Sequence, residues 1–165
     1  MEKSMIIIWN DSIKHKNLII DEISKQFKIT YITQENDIFI DDKYNKEFLT
    51  EFYWNNYCKS NFIKRKRFTS KFVIIFFDVI NPTYIEQYNE QRKENVLVNE
   101  NVMLFKRIMR ETCRKDDKLY PLCHAPDDIK ELFHNLIIIS KYATINNMKN
   151  IINMNIDFCK NILDK

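Results

Sequence analysis

The chain contains no glycine among its 165 residues. Glycine enters left-handed backbone at little steric cost and lets a backbone approach a ligand closely. Where this fold needs positive φ, asparagine or aspartate is expected to serve instead. The absence also excludes whole classes of function. A Walker-type phosphate loop and a dinucleotide-binding fingerprint both require glycine at fixed positions, where a Cβ would block the phosphate. A nucleotide bound by this chain must be held mainly by side chains.

Hydrophobic residues make up 45% of the chain and aromatics 13%, enough for a substantial core. This length favours one compact domain with a terminal extension. With 26 Lys+Arg against 23 Asp+Glu, the net charge of +3 is too mild to point to nucleic acid. The run "KRKR" at 64–67 is more concentrated. It could grip phosphates, but a basic surface loop is the commoner meaning of such a run. Beside Phe62 it also permits single-stranded nucleic-acid binding, a third-ranked reading. Cys58, Cys113, Cys123 and Cys159 form no C-x-x-C pair and follow no secretory signal, so a reducing, cytoplasmic setting is expected. The runs "MIIIW" and "LIIIS" are too short to cross a bilayer, and no membrane insertion is expected.

Hydrophobic spacing predicts alternating strands and helices. "SMIIIW" (4–9) reads as a buried strand, and Ile13, Ile20, Ile23 and Phe27 predict a helix over 12–27. "KITYIT" (28–33) reads as a strand that Phe39 and Ile40 extend after a turn. Tyr44, Phe48 and Phe52, beside Leu49 and Tyr53, predict an amphipathic helix. "FVIIFFD" (72–78) is the most strand-like segment and is expected at the sheet centre. A turn-rich region follows from Ile80, then a helix over 98–114 with Val102, Phe105 and Met109 on one face and Lys106 and Arg110 on another. "KDDK" (115–118) ends it, "LYPLC" (119–123) is a short strand, and Asp127 or Asp128 caps a helix carrying Ile129, Leu132, Phe133 and Leu136. Met148, Ile151, Met154, Phe158 and Ile162 mark a C-terminal helix. The order suggests a ferredoxin-like α+β fold, an antiparallel sheet with helices packed on it, with a doubly wound sheet as the alternative.

Three segments resemble nucleoside diphosphate kinases. "IIIWNDSIKHKNLIIDEISKQFKI" is similar to that family's opening strand, turn and first helix. "EFYWNNYCKSNFIKRKRFTSKFVIIFFD" is similar to its aromatic lid and central strand, and "CHAPDD" to its histidine box. The resemblance covers roughly residues 5–139, which suggests a kinase-like domain over 1–140 and a helical extension over 141–165. It implies His124 as phosphate acceptor, Asp127 as the acidic residue of the box, Phe62 as a base-stacking aromatic, and Arg92 and Arg110 as phosphate-gripping arginines. It further implies Mg²⁺ arriving with a nucleoside triphosphate, and assembly into a homo-oligomer. The chain departs from the pattern where the family's opening lysine is Trp9, its box asparagine Pro121 and its box serine Pro126. A second pattern, Asn81-Pro82-x-Tyr84, Val98-Asn99-x-Asn101, Lys106 to Arg110 and His124-Ala125, resembles a divergent bacterial branch found beside envelope-polysaccharide enzymes. It implies a sugar or glycan precursor as acceptor.

Each candidate has a plainer alternative. A neutral imidazole at His124 can attack phosphorus, given cations around the phosphate and a partner on its other nitrogen. Asp127 or Asp128 could orient it, or His124 could simply end a strand. Lys106 and Arg110, one helical turn apart, suit a polyphosphate, although a solvated basic face gives the same spacing. Asn99 and Asn101 could bond a sugar or phosphate, or cap the helix that follows. Cys123 should face the core opposite His124, which argues against a Cys–His dyad. His15 and His134 lack metal-ligand spacing. Two functions follow: a divergent nucleotide-dependent phosphotransferase with an unknown acceptor, or a non-catalytic module of the same fold that binds a nucleotide or a protein.

Overall fold

A computed structural model describes residues 1–54, 71–113 and 123–165. Phe62, the "KRKR" run, Cys58, "KDDK" and Pro121 lie outside them. The central sheet contains β1 (Glu2–Trp9), β2 (Lys28–Ile32), β4 (Phe72–Val79) and β7 (Cys123–His124), in the order β2-β4-β1-β7. All its pairings are antiparallel. The fold is ferredoxin-like α+β.

The continuous apolar runs of β1 and β4 follow from their central place, with both faces covered. Alternation along each strand then sorts their side chains into two cores. Met5, Ile7, Trp9, Phe72, Ile74 and Phe76 face one core, completed by α2 (Asn45–Phe52), α4 (Ile129–Tyr142) and α5 (Lys149–Leu163). Ile6, Ile8, Val73, Ile75 and Phe77 face the other, completed by α1 (Lys16–Gln26) and α3 (Glu100–Cys113).

Several elements differ from the sequence pattern. The expected first helix opens as a 3-10 turn, Asn10–His15, with no side-chain cap. Phe39 does not extend β2: Ile38–Phe39 form β3, which pairs with β8 (Thr144–Ile145). The turn-rich region contains a hairpin, β5 (Tyr84–Asn89) against β6 (Glu94–Asn99). Val98 belongs to that hairpin and not to α3. The hairpin escapes detection because Val96 and Val98 are the apolar side chains it buries, while Tyr84, Tyr88 and Leu97 are exposed. Met148 is buried as expected, at the N-cap of α5, but the buried apolar row within the helix is Ile152, Ile156 and Cys159, and Met154 and Ile162 are exposed. This row joins the same core as α2 and α4, so residues after 140 pack on the main body.

Among the described residues, positive φ occurs at Trp54, Lys93 and Asn147. Only Asn147 is of the expected type. Lys93 closes the β5–β6 turn, where Asn89 Oδ1 accepts the Arg92 N–H at 2.9 Å.

Candidate functional site

The site is built on β7, an edge strand held on one side by β1, with Ile7 opposite His124. Cys123 and His124 alternate as neighbours on a strand must. Cys123 is fully buried toward α1 and α3, and burial pushes its thiol up, away from the reactive thiolate. His124 turns to the opposite face, against Phe52 at 4.8 Å, Tyr53 at 5.8 Å and Trp9 at 6.4 Å between ring centroids. The residue itself is 7% exposed. Burial, then the charges of Lys106, Arg110 and His134, hold the imidazole well below the ordinary histidine range. His124 is therefore neutral at physiological pH, the state that carries a nucleophilic lone pair.

Its orienting groups come from α4. The Asn135 amide nitrogen lies 2.8 Å from Nε2, and Glu131 Oε1 lies 3.6 Å from the same atom. Asp127 and Asp128 point elsewhere. Asp127 Oδ1 accepts from Lys106 at 3.3 Å, and its Oδ2 from Asn89 at 3.2 Å. Asp128 is the N-cap of α4, accepting the Glu131 N–H at 2.8 Å, and it binds Arg92 through both oxygens at 2.8 Å. Glu131 returns the cap in a capping-box variant, its Oε2 accepting the Asp127 N–H at 2.8 Å. Burial first, then the charge of Asp127, pushes the Glu131 carboxyl up to about 7.

Lys106 and Arg110 do project together from α3. They reach the outer edge of β7, where no further strand is available to its carbonyls among the described residues. Lys106 Nζ donates to Ala125 O at 3.0 Å, and Arg110 donates to Cys123 O through Nε at 3.2 Å and Nη2 at 2.8 Å. Beside them opens a cavity of about 360 Å³, lined by Lys106, Arg107, Arg110, Gln87, Glu111 and Asp127. Its wall combines three cations from α3 with the carboxylates of Glu111 and Asp127, and Lys106 is paired with Asp127 at 3.3 Å.

His124 does not line this cavity, and the remaining candidates lie apart from it as well. Arg92 is 4% exposed at its side chain and bridges Asp128 and Glu94. Asn99 caps α3, its Oδ1 accepting the Val102 N–H at 3.2 Å, and its amide donates to Glu2 at 3.0 Å. Asn101 Oδ1 accepts the Thr83 N–H at 2.9 Å. Trp9, in the place of the family's lysine, is buried in the core. Trp54 stacks on His134 at 3.6 Å. Among the described residues, no group of three or more His, Cys, Asp or Glu could hold a metal ion, and no helix is long and apolar enough to cross a membrane.

Sequence reasoning missed Arg107, Glu131 and Asn135. Asp128 followed three residues later by Glu131 is a readable capping-box signature. Asn135, on the buried face between Leu132 and Leu136, was a polar residue in need of a partner.

No family profile matches the chain, and no curated protein does. Among solved structures, the chain is similar to the nucleoside diphosphate kinase of Aquifex aeolicus in an orthorhombic crystal form. The identity is 18%, the TM-score 0.50, and the match covers 84% of this chain and 94% of that one. Likeness at this identity is likeness of fold.

Proposed function

We propose that this chain is a divergent nucleotide-dependent phosphotransferase with His124 as phosphate acceptor. One observation carries the reading: a neutral imidazole is held at Nε2, and its strand is gripped by the cations that line the basic cavity. Asn135 meets Nε2; with its amide turned so that the otherwise unpartnered Oδ1 accepts the Nε2 proton, Nδ1 holds the lone pair for phosphorus. Lys106, Arg107 and Arg110 supply positive charge of the kind phosphoryl transfer requires, in a cavity on the α3 side of β7 that His124 itself does not line. Mg²⁺ would come with the nucleotide and offset its phosphate charge, and Glu111 would be the carboxylate at the cavity wall to meet it, Asp127 being paired with Lys106 and Asn89. Cys113, Cys123 and Cys159 are free thiols, in keeping with a reducing, cytoplasmic setting.

The test is incubation with γ-labelled ATP or GTP and Mg²⁺. Acid-labile, base-stable label that disappears in His124→Ala supports the phosphotransferase, and absence of label from the native chain refutes it.

A second reading rests on the aromatic wall around His124. Trp9, Phe52 and Tyr53 enclose the ring, and Lys106 and Arg110 already serve backbone carbonyls. In that reading the chain binds a nucleotide or other polyanion without chemistry. Calorimetric binding of ATP with no label retained distinguishes it.

A further inference from the structure

We propose that the outer edge of β5 is a self-association surface, where two copies of this chain join through antiparallel β5 strands across a two-fold axis at Gln87.

The β5–β6 hairpin is a sheet of two strands, and such a sheet is marginal by itself. Its hydrogen bonds fix which backbone groups remain. The Glu100 N–H donates to Thr83 O at 2.8 Å, in the register that sets Tyr84 opposite Asn99. Bonded pairs recur at every second residue, so Ile85, Gln87 and Asn89 bond β6. Asn99 agrees with this phase, because its N–H points away from β5, to Asp127 O at 2.9 Å. Tyr84, Glu86 and Tyr88 therefore aim their N–H and C=O groups out of the hairpin. No strand covers that edge among the described residues. The edges of the central sheet are protected. Lys106 and Arg110 clasp the carbonyls of β7, and β2 is interrupted by a bulge between Ile29 and Tyr31. β5 has no bulge, lysine or proline, the devices that keep an exposed edge from pairing.

The side chains select a second copy as the partner. A two-fold axis normal to the sheet leaves each side chain on its own face, so the register must centre on a residue. Centred at Glu86, it would oppose two carboxylates, which repel. Centred at Gln87, it sets Glu86 opposite Tyr88 of the partner subunit, and Tyr88 opposite the partner's Glu86. Each carboxylate then meets a phenol hydroxyl, and the residues of each such pair exchange both their backbone hydrogen bonds. Tyr88 is 57% exposed and Glu86 is exposed beside it, and this pairing covers both. Gln87 lies on the other face of β5 and lines the basic cavity. Gln87 of the partner subunit stands directly opposite, with Cα atoms about 4.5 Å apart. The two basic cavities thus meet at the axis, and each copy adds a glutamine beside the other's.

The test is sedimentation equilibrium of the full chain over a dilution series. A reversible dimer is expected. Glu86→Pro removes an outward N–H and leaves the bonds between β5 and β6 in place. It is expected to raise the dimer dissociation constant about 10²-fold, the scale of losing a few backbone hydrogen bonds. Gln87→Cys puts a thiol from each copy at the axis, and mild oxidation is expected to give a disulfide-linked dimer. Glu86→Cys, one residue off the axis, is expected to cross-link no more than the native chain. Should Glu86→Pro fail to fold, the cross-linking comparison decides alone. A native chain that stays monomeric at every concentration overturns the inference. A dimer that Glu86→Pro leaves at the native dissociation constant overturns it as well, as does Gln87→Cys cross-linking no better than Glu86→Cys.

Discussion

Glu131 places a carboxyl in the interior, and replacing it by glutamine separates the effect of its charge from that of its hydrogen bonds. Its proton is held up to about 7, against an ordinary value of 4.5, because burial and the neighbouring Asp127 disfavour the carboxylate. Below pH 4.5 the group is protonated in both folded and unfolded chains and costs nothing. Between pH 4.5 and 7 the unfolded carboxyl is ionised while the folded one keeps its proton. Stability then falls by about 1.4 kcal/mol per pH step, about 3 kcal/mol in all. Above that window both forms are ionised and the full loss persists. Glu131→Gln has no such charge, and its amide oxygen can still accept the Asp127 N–H. The variant should match the native chain near pH 4.5 and exceed it by about 3 kcal/mol at pH 8. Urea unfolding at pH 5, 6, 7 and 8 measures the difference. A difference that does not change with pH would refute the reasoning, since a packing effect alone is insensitive to protonation.

Three further outcomes are expected. Lys106→Met and Arg107→Met should each weaken ATP binding by about 10- to 100-fold, the loss of one charge-assisted contact, and calorimetric affinities equal to the native value would remove the cavity from the site. Phe52→Ala should cost about 3–5 kcal/mol and move the His124 midpoint up toward the ordinary histidine range, because burial is the first cause of its depression. An NMR titration showing no such movement counts against that cause. Deleting residues 146–165 removes Met148, Ile152, Ile156 and Cys159 from the core. At about 1.5–3 kcal/mol each, their loss is comparable with the whole stability of a domain. A cooperative thermal transition near the native temperature would show that α5 is dispensable.

The sheet was legible because β1 and β4 are apolar on both faces, a pattern that local sequence shows directly. The alternation placing Cys123 in one core and His124 toward the other was legible for the same reason. The β5–β6 hairpin was not, because its outer face carries exposed Tyr84, Tyr88 and Leu97, and few of its apolar residues mark an inside. Nor was the pairing of β3 with β8, which joins segments more than 100 residues apart, nor the face of α5, which is set by its packing on α4. At the site, the i, i+4 spacing of Lys106 and Arg110 did place them together. Their targets, the carbonyls of Cys123 and Ala125, are backbone atoms that no side-chain pattern reveals. Asp127 drew attention by its closeness in sequence to His124, while the groups that meet the ring lie one and two turns further along α4. The absence of glycine shifted attention to side chains. It did not foretell that Trp54 and Lys93 would take left-handed backbone.

The most direct measurement is ³¹P NMR of the purified chain after incubation with ATP and Mg²⁺ and removal of free nucleotide. A single phosphohistidine resonance of the Nδ1 isomer is expected, absent from His124→Ala. An Nε2 isomer would contradict the engagement of that nitrogen by Asn135, and no protein-bound phosphorus at all would contradict the phosphotransferase itself.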